Sequence, residues 1–149
     1  MQKIRITKQF NFEMAHALKD YDGPCRNIHG HSYELFVTVI GEPITNSDSP
    51  KIGMLIDFGD LKRIVRNSIV DKLDHALLLN KNAPDNLISE LKKGFANITL
   101  VDYQPTSENM LIDFAERLKK ELPIHIKLHS MKLRETVTSF AEWYAFDNE

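Results

Sequence analysis

The stretch Ile4 to His16, I-R-I-T-K-Q-F-N-F-E-M-A-H, decides the fold. Ile4, Ile6, Phe10, Phe12, Met14 and His16 fall on one face; Arg5, Thr7, Gln9, Asn11 and Glu13 fall on the other. Side chains of an extended chain alternate between faces, so this period of two predicts a long strand, with Lys8 the one polar interruption of its apolar face. His16 closes that face at the strand's end. Alone in such a place, a histidine is more often a hydrogen-bonded core residue than a ligand.

A second alternating run changes that reading. After a loop from Ala17 to Ile28, marked by Asp20, Asp22, Gly23 and Pro24, the residues His29, His31, Tyr33, Leu35, Val37 and Val39 share a face. If the two runs pair as an antiparallel hairpin, His16 comes beside His29 and His31. Three imidazoles and one open position form a known catalytic zinc arrangement. The loop between the runs carries Cys25, the only cysteine, which leaves no intrachain disulfide and places a nucleophile or base near the metal ligands.

Further along, the period changes. Leu61, Ile64, Val65, Ser68, Ile69, Lys72 and Leu73 follow helical spacing behind Asp57, a residue suited to the N-cap. The helix runs into Asp74-His75. That pair reads either as an acid–base couple or as a helix end with a favourable histidine, and the second is the simpler reading. Asn80 to Gly94 predicts a short helix, and Ile98 to Val101 a brief strand. Thr106 or Ser107 caps a further helix with the stripe Met110, Leu111, Phe114, Ala115 and Leu118; Glu108 suits its first turn. Ile124 to Glu135 predicts a strand whose apolar phase shifts near Ser130, the mark of a bulge. Phe140 to Phe146 follows as a last strand. Glu135, beside the turn, is either a solvated strand end or a carboxylate that grips a pair of ring N–H groups.

These elements predict an α+β fold, a four-stranded antiparallel sheet with its helices on one face. The 149 residues predict a single domain spanning 1–149. A net charge of −2 gives no basic footprint, which argues against a nucleic-acid partner. No apolar run has the length of a membrane span, and the first residues lack a signal peptide's apolar core, so a cytoplasmic location with no membrane association is expected.

Six ordered motifs carry a family resemblance: F-x-F-x-x-A-H at Phe10 to His16, C-x-x-x-H-G-H at Cys25 to His31, I-D-F at Ile56 to Phe58, L-D-H at Leu73 to His75, P-T-S-E-N at Pro105 to Asn109, and R-E-T at Arg134 to Thr136. Together they resemble the pterin-processing synthases of the tunnelling fold, the 6-pyruvoyl- and 6-carboxytetrahydropterin synthases. The resemblance implies that His16, His29 and His31 bind zinc (Zn2+) and that Cys25, Asp74 and His75 form a proton-transfer triad. It implies that Glu135 anchors the pterin ring with help from Thr106 and Ser107, with Glu108 a further candidate. It also implies a homo-oligomer, a hexamer built as a dimer of trimers whose sheets close into barrels and whose active sites lie between subunits.

The substrate implied is 7,8-dihydroneopterin triphosphate, with Lys19, Arg26, Lys132 and Arg134 as candidate phosphate contacts. Three residues separate Cys25 from His29, a spacing that resembles the branch making 6-carboxytetrahydropterin with release of acetaldehyde and triphosphate in queuosine biosynthesis. The pyruvoyl-forming, triphosphate-eliminating lyase is the alternative, and a zinc- and pterin-binding protein without turnover a third reading.

Overall fold

A computed structural model describes residues 2–149. Strand β1 (Ile4–His16) and strand β2 (His29–Gly41) pair antiparallel along their whole length, from Ile4 opposite Gly41 to His16 opposite His29. The connecting loop contains one 3-10 turn, Pro24–Arg26, whose proline needs no N–H at that position. The predicted hairpin is therefore present with the predicted facing, although burial of β1 becomes complete only from Phe10 onward and Ile4 is exposed.

The sheet has six strands rather than the four antiparallel ones expected. Their order is β4-β3-β1-β2-β5-β6; β3 (Ala76–Asn80) is a strand not expected, and β4 (Ile98–Val101) is the expected brief strand, here joined to the main sheet. Strand β3 runs parallel to β1 at Met14–His16, and β4 runs parallel to β3, so the sheet is mixed. The segment A-L-L-L-N shows no alternation because a strand covered on both faces reads as a continuous apolar run. Parallel neighbours also need a long crossover, which the helices supply here.

Strand β5 (Ile126–Thr136) pairs antiparallel with β2, and β6 (Ser139–Tyr144) pairs antiparallel with β5. The predicted bulge is present. Val39 faces Leu128 and Thr38 faces Ser130, so His129 is the extra residue. Ile124 lies outside the strand and is fully exposed, and the last predicted strand stops at Tyr144, where a 3-10 turn over Ala145–Asn148 takes over.

Asp57 caps helix α1 (Phe58–Val65) as expected, accepting from the Gly59 N–H at 2.7 Å. The expected single helix does not continue evenly. A π turn at Arg66–Val70 intervenes before the short α2 (Asp71–Leu73). Helix α3 (Asp85–Gly94) starts later than predicted, because Asn80 ends β3. Helix α4 (Ser107–Glu121) has Thr106 as N-cap and buries the predicted stripe.

The core lies between the sheet and these helices. Tyr33, Leu35, Val37 and Val39 from β2 meet Leu61, Val65 and Ile69 from the first helix and Phe114 and Leu118 from α4, all essentially inaccessible. At about 1.5–3 kcal/mol for each fully buried large apolar side chain, this packing fixes the sheet on which the functional side chains stand. Among the described residues no helix is long and apolar enough to cross a membrane.

Candidate metal centre and active site

Because β1 and β2 pair in register, His16 faces His29 and Met14 faces His31, and the three imidazoles gather at one end of the hairpin. One ring nitrogen from each lies within 4.8 Å of the others. The His16 Nδ1–H donates to the Pro105 carbonyl at 2.7 Å, and the His29 Nδ1–H donates to the Asn27 carbonyl at 2.8 Å. A carbonyl only accepts, so a ring that carries its single proton on Nδ1 presents Nε2 as a bare lone pair. Those two Nε2 atoms stand 3.0 Å apart. Two lone pairs so close repel unless a cation lies between them.

His31 adds a second sign of the same kind. Its Nε2 is buried and has no hydrogen-bond partner among the described residues; the Glu135 Oε1 is 3.5 Å away. Burial lowers the pKa of His16 and of His31, which keeps both rings in the neutral form a metal requires. Zinc takes imidazole nitrogens at about 2.0–2.1 Å in a tetrahedral set, which places such nitrogens about 3.3 Å apart. The residues present fit a metal ion, and the carbonyls of Pro105 and Asn27 are the outer partners that orient its ligands.

Next to this cluster is a cavity of about 350 Å³, with His16, Cys25, Thr106, Ser107, Glu108 and Glu135 in its wall. Cys25 sits in the Pro24–Arg26 turn, and its carbonyl accepts from the Leu18 N–H at 3.0 Å, which ties the loop across itself. The Thr106 hydroxyl is occupied in capping, accepting from the Asn109 N–H at 3.3 Å. The Ser107 hydroxyl donates to Glu135 Oε2 at 2.8 Å, and the Tyr33 hydroxyl reaches the same oxygen at 3.4 Å. Burial first, and then the Glu135 charge, push the Tyr33 phenol above its ordinary range, so it remains a donor. Tyr33 stacks on Phe12 with ring centroids 5.1 Å apart, which fixes that hydroxyl in place.

Glu135 sits at a second irregularity in β5. Arg134 faces Phe140 and Thr136 faces Ser139, leaving Glu135 between them without a partner on β6. Tyr21 and Phe140 also line the cavity and were not among the residues singled out by sequence. Tyr21 lies in an irregular loop and Phe140 on the face of β6 opposite the core, so no periodicity marks either.

Asp74 and His75 adopt the face-to-face arrangement rather than the plain helix end. The Asp74 carboxylate accepts from the Glu13 N–H at 2.9 Å and lies 3.1 Å from His75 Nδ1. The His75 N–H in turn donates to the Glu13 carbonyl at 2.6 Å. His75 has φ +60°, a left-handed conformation that side chains with a Cβ seldom adopt. The Glu13 N–H holds the Asp74 carboxyl below its usual range, with the neighbouring His75 adding to the effect.

These two residues do not line the Cys25 cavity. His75 borders a separate cavity with Glu13, His31 and Ser32. Nor do the four candidate phosphate contacts line the Cys25 cavity. Lys19 pairs with Asp20, Arg134 with Glu34 at 3.4 Å, and the Lys132 ammonium stands 3.7 Å from the Phe140 ring centroid.

The sequence model of 6-pyruvoyl tetrahydropterin synthase matches residues 5–145. A 6-carboxy-5,6,7,8-tetrahydropterin synthase of Haemophilus influenzae is 38% identical over 142 residues, which span 94% of this chain and 98% of that one. Among solved structures, the 6-pyruvoyl tetrahydropterin synthase of Caenorhabditis elegans superposes with a TM-score of 0.67 at 26% identity, covering 97% of both chains. An uncharacterized protein of Wolinella succinogenes shares the fold with a TM-score of 0.78 at 21% identity, covering 97% of this chain and 99% of that one. The matched segment runs from the first strand past the last and contains every residue of the histidine cluster and the cavity, so the chain belongs to the 6-pyruvoyl tetrahydropterin synthase family.

Proposed function

We propose that the protein is a zinc-dependent 6-carboxy-5,6,7,8-tetrahydropterin synthase that converts 7,8-dihydroneopterin triphosphate to 6-carboxytetrahydropterin, releasing acetaldehyde and triphosphate. The observation that carries this reading is one cavity wall holding a metal-binding histidine, the lone thiol and an oriented carboxylate. The 38% identity to the Haemophilus influenzae enzyme of that name supports the product assignment.

In this reading His16, His29 and His31 hold the zinc. When bound, the ion supplies Lewis-acid polarisation of the substrate's side-chain oxygens. Glu135 accepts a pair of N–H bonds from the pterin ring, and Ser107 and Tyr33 hold its carboxylate in that orientation. Thr106 and Glu108 border the ring's place in the cavity. Cys25, as thiolate, moves protons at the substrate's side-chain carbons. His75 is its exchange partner: Asp74 accepts from the Nδ1 side and leaves Nε2 for the transfer.

Since a chain's own His75 borders a different cavity, a neighbouring copy brings this pair to Cys25. That agrees with a hexamer made of two trimers, working in the cytoplasm, with no nucleic-acid or membrane partner. The pterin-forming unit comprises the single domain 1–149.

Incubation of the purified protein with dihydroneopterin triphosphate and mass analysis of the products tests the reading. A carboxypterin with acetaldehyde is expected, whereas a pyruvoyl product would assign the alternative synthase. Cys25→Ala is expected to keep zinc and lose turnover. Unchanged turnover would remove the thiol from the chemistry, and bound pterin without any product would leave a binding protein.

A further inference from the structure

We propose that Arg117, oriented by Asp113 and Tyr103, is a positioning residue that sets the Asp74–His75 turn through the π turn of the preceding helix. The inference rests on the role given above to Asp74 and His75. The π turn is marked by the Asp71 N–H, which reaches back five residues to the Arg66 carbonyl. A widened turn holds one residue more than an α-helical path, so everything after it is rotated by about 100° relative to an unbroken helix.

That rotation matters at the helix exit. The Asp74 N–H still bonds the Val70 carbonyl at 2.8 Å, while the Asp74 carboxylate and the His75 N–H make a reciprocal clamp with the Glu13 backbone on β1. Were the turn to relax to α geometry, Leu73 would take the place of Asp74. Both arms of the clamp that holds His75 at φ +60° would be lost, leaving the Asn97 amide on the Asp74 carbonyl and the pairing of Ala76 with Met14.

The π turn is braced from two sides. Outside, Arg66 spans it to Asp71 at 2.6 Å in a half-exposed pair. Inside, the Arg117 Nη1–H donates to the Ser68 carbonyl at 3.2 Å, a bond from α4 into the middle of the turn, where Ser68, Ile69 and Val70 are buried. Arg117 is itself held by two bonds to Asp113, Nε to Oδ1 at 2.9 Å and Nη2 to Oδ2 at 2.6 Å. The Tyr103 hydroxyl donates to Asp113 Oδ2 at 2.6 Å. A surface i,i+4 ion pair would need neither the half-buried phenol nor the bond to Ser68. The fork geometry of arginine serves both ends, with three N–H groups aimed at three acceptor atoms on two residues.

The test uses the full-length, metal-loaded protein with Arg117→Met, Arg117→Lys and the milder Tyr103→Phe. Amide hydrogen exchange, metal content and steady-state turnover of dihydroneopterin triphosphate are measured on each. In Arg117→Met, exchange at the His75 amide is expected to quicken about tenfold, selectively over the β1–β2 amides, with metal content unchanged. The kcat is expected to fall about 10–100-fold with KM within about threefold, the cost of a misplaced transfer group.

Arg117→Lys restores the bond to Ser68 in part and should recover part of both readouts. Tyr103→Phe should shift both in the same direction by a smaller factor, and it decides the matter if Arg117→Met does not fold. Unchanged exchange at His75, or a rise spread evenly over the chain, overturns the proposal. If the native protein turns over no dihydroneopterin triphosphate, the exchange measurement still decides the positioning claim, and only the proposed function falls.

Discussion

At the end of the β1–β2 hairpin three imidazoles meet because regular pairing sets His16 opposite His29 and Met14 opposite His31. At the helix exit Asp74 and His75 meet because the backbone leaves regular structure altogether, through a π turn and a left-handed residue. The first site is fixed by the same ladder that builds the sheet, and its partners are backbone carbonyls. The second is fixed by a few bonds to one residue of β1 and one arginine of α4. A metal site on paired strands inherits the rigidity of the core. A carboxylate–imidazole pair on a strained turn depends on its own supports.

The comparison breaks if the two sites fail independently of these supports. The largest effect is expected for His31→Ala, which removes one of three ligands from the cluster. Metal content by elemental analysis should fall to a small fraction of the native value, with turnover lost alongside; full metal occupancy would sink the three-histidine site. His75→Ala should do the reverse. It leaves the left-handed strain in place, since alanine also carries a Cβ, keeps the metal, and lowers turnover about 10²–10⁴-fold, the usual worth of a positioned acid–base group. Loss of metal in that variant would show that the two regions are one unit.

The smallest effect concerns pH. Burial lowers the folded-state pKa of His16 and His31 below the ordinary value of 6.5. Between the lowered values and 6.5 the unfolded chain therefore binds more protons than the folded one, and stability falls as pH falls. Metal-stripped protein should show a lower urea midpoint at pH 5.5 than at pH 7.5. An equal or higher midpoint at pH 5.5 would mean that the cluster is not held neutral by burial.

What the sequence made legible follows the same division. Histidine positions on alternating runs carry their facing with them, so His16, His29 and His31 could be gathered before any coordinates existed. The α4 stripe and the Thr106 cap were legible for the same reason, since both follow the helical period. Strand β4 was legible as the brief strand at Ile98 to Val101, but β3 and the parallel pairing of both strands were not, because the run A-L-L-L-N shows no alternation. The left-handed φ of His75 and the π turn at Arg66–Val70 leave no compositional mark, since neither glycine nor asparagine stands at residue 75 and the apolar spacing of the helix continues through the turn. Tyr21 and Phe140 reach the cavity by the path of loops and edges, which periodicity does not encode.

The extra residue at His129 has a further consequence for the other end of its strand. Ile126 and Leu128 point into the core on even numbers, whereas Met131 and Leu133 do so on odd ones. Strand β5 is thus read in two frames, and Glu135 belongs to the second. Removing one residue at the bulge would restore a single frame, swing Met131 and Leu133 outward and turn Glu135 away from the cavity it borders. The number of residues between Leu128 and Glu135 is thus as much a part of the cavity as the carboxylate itself.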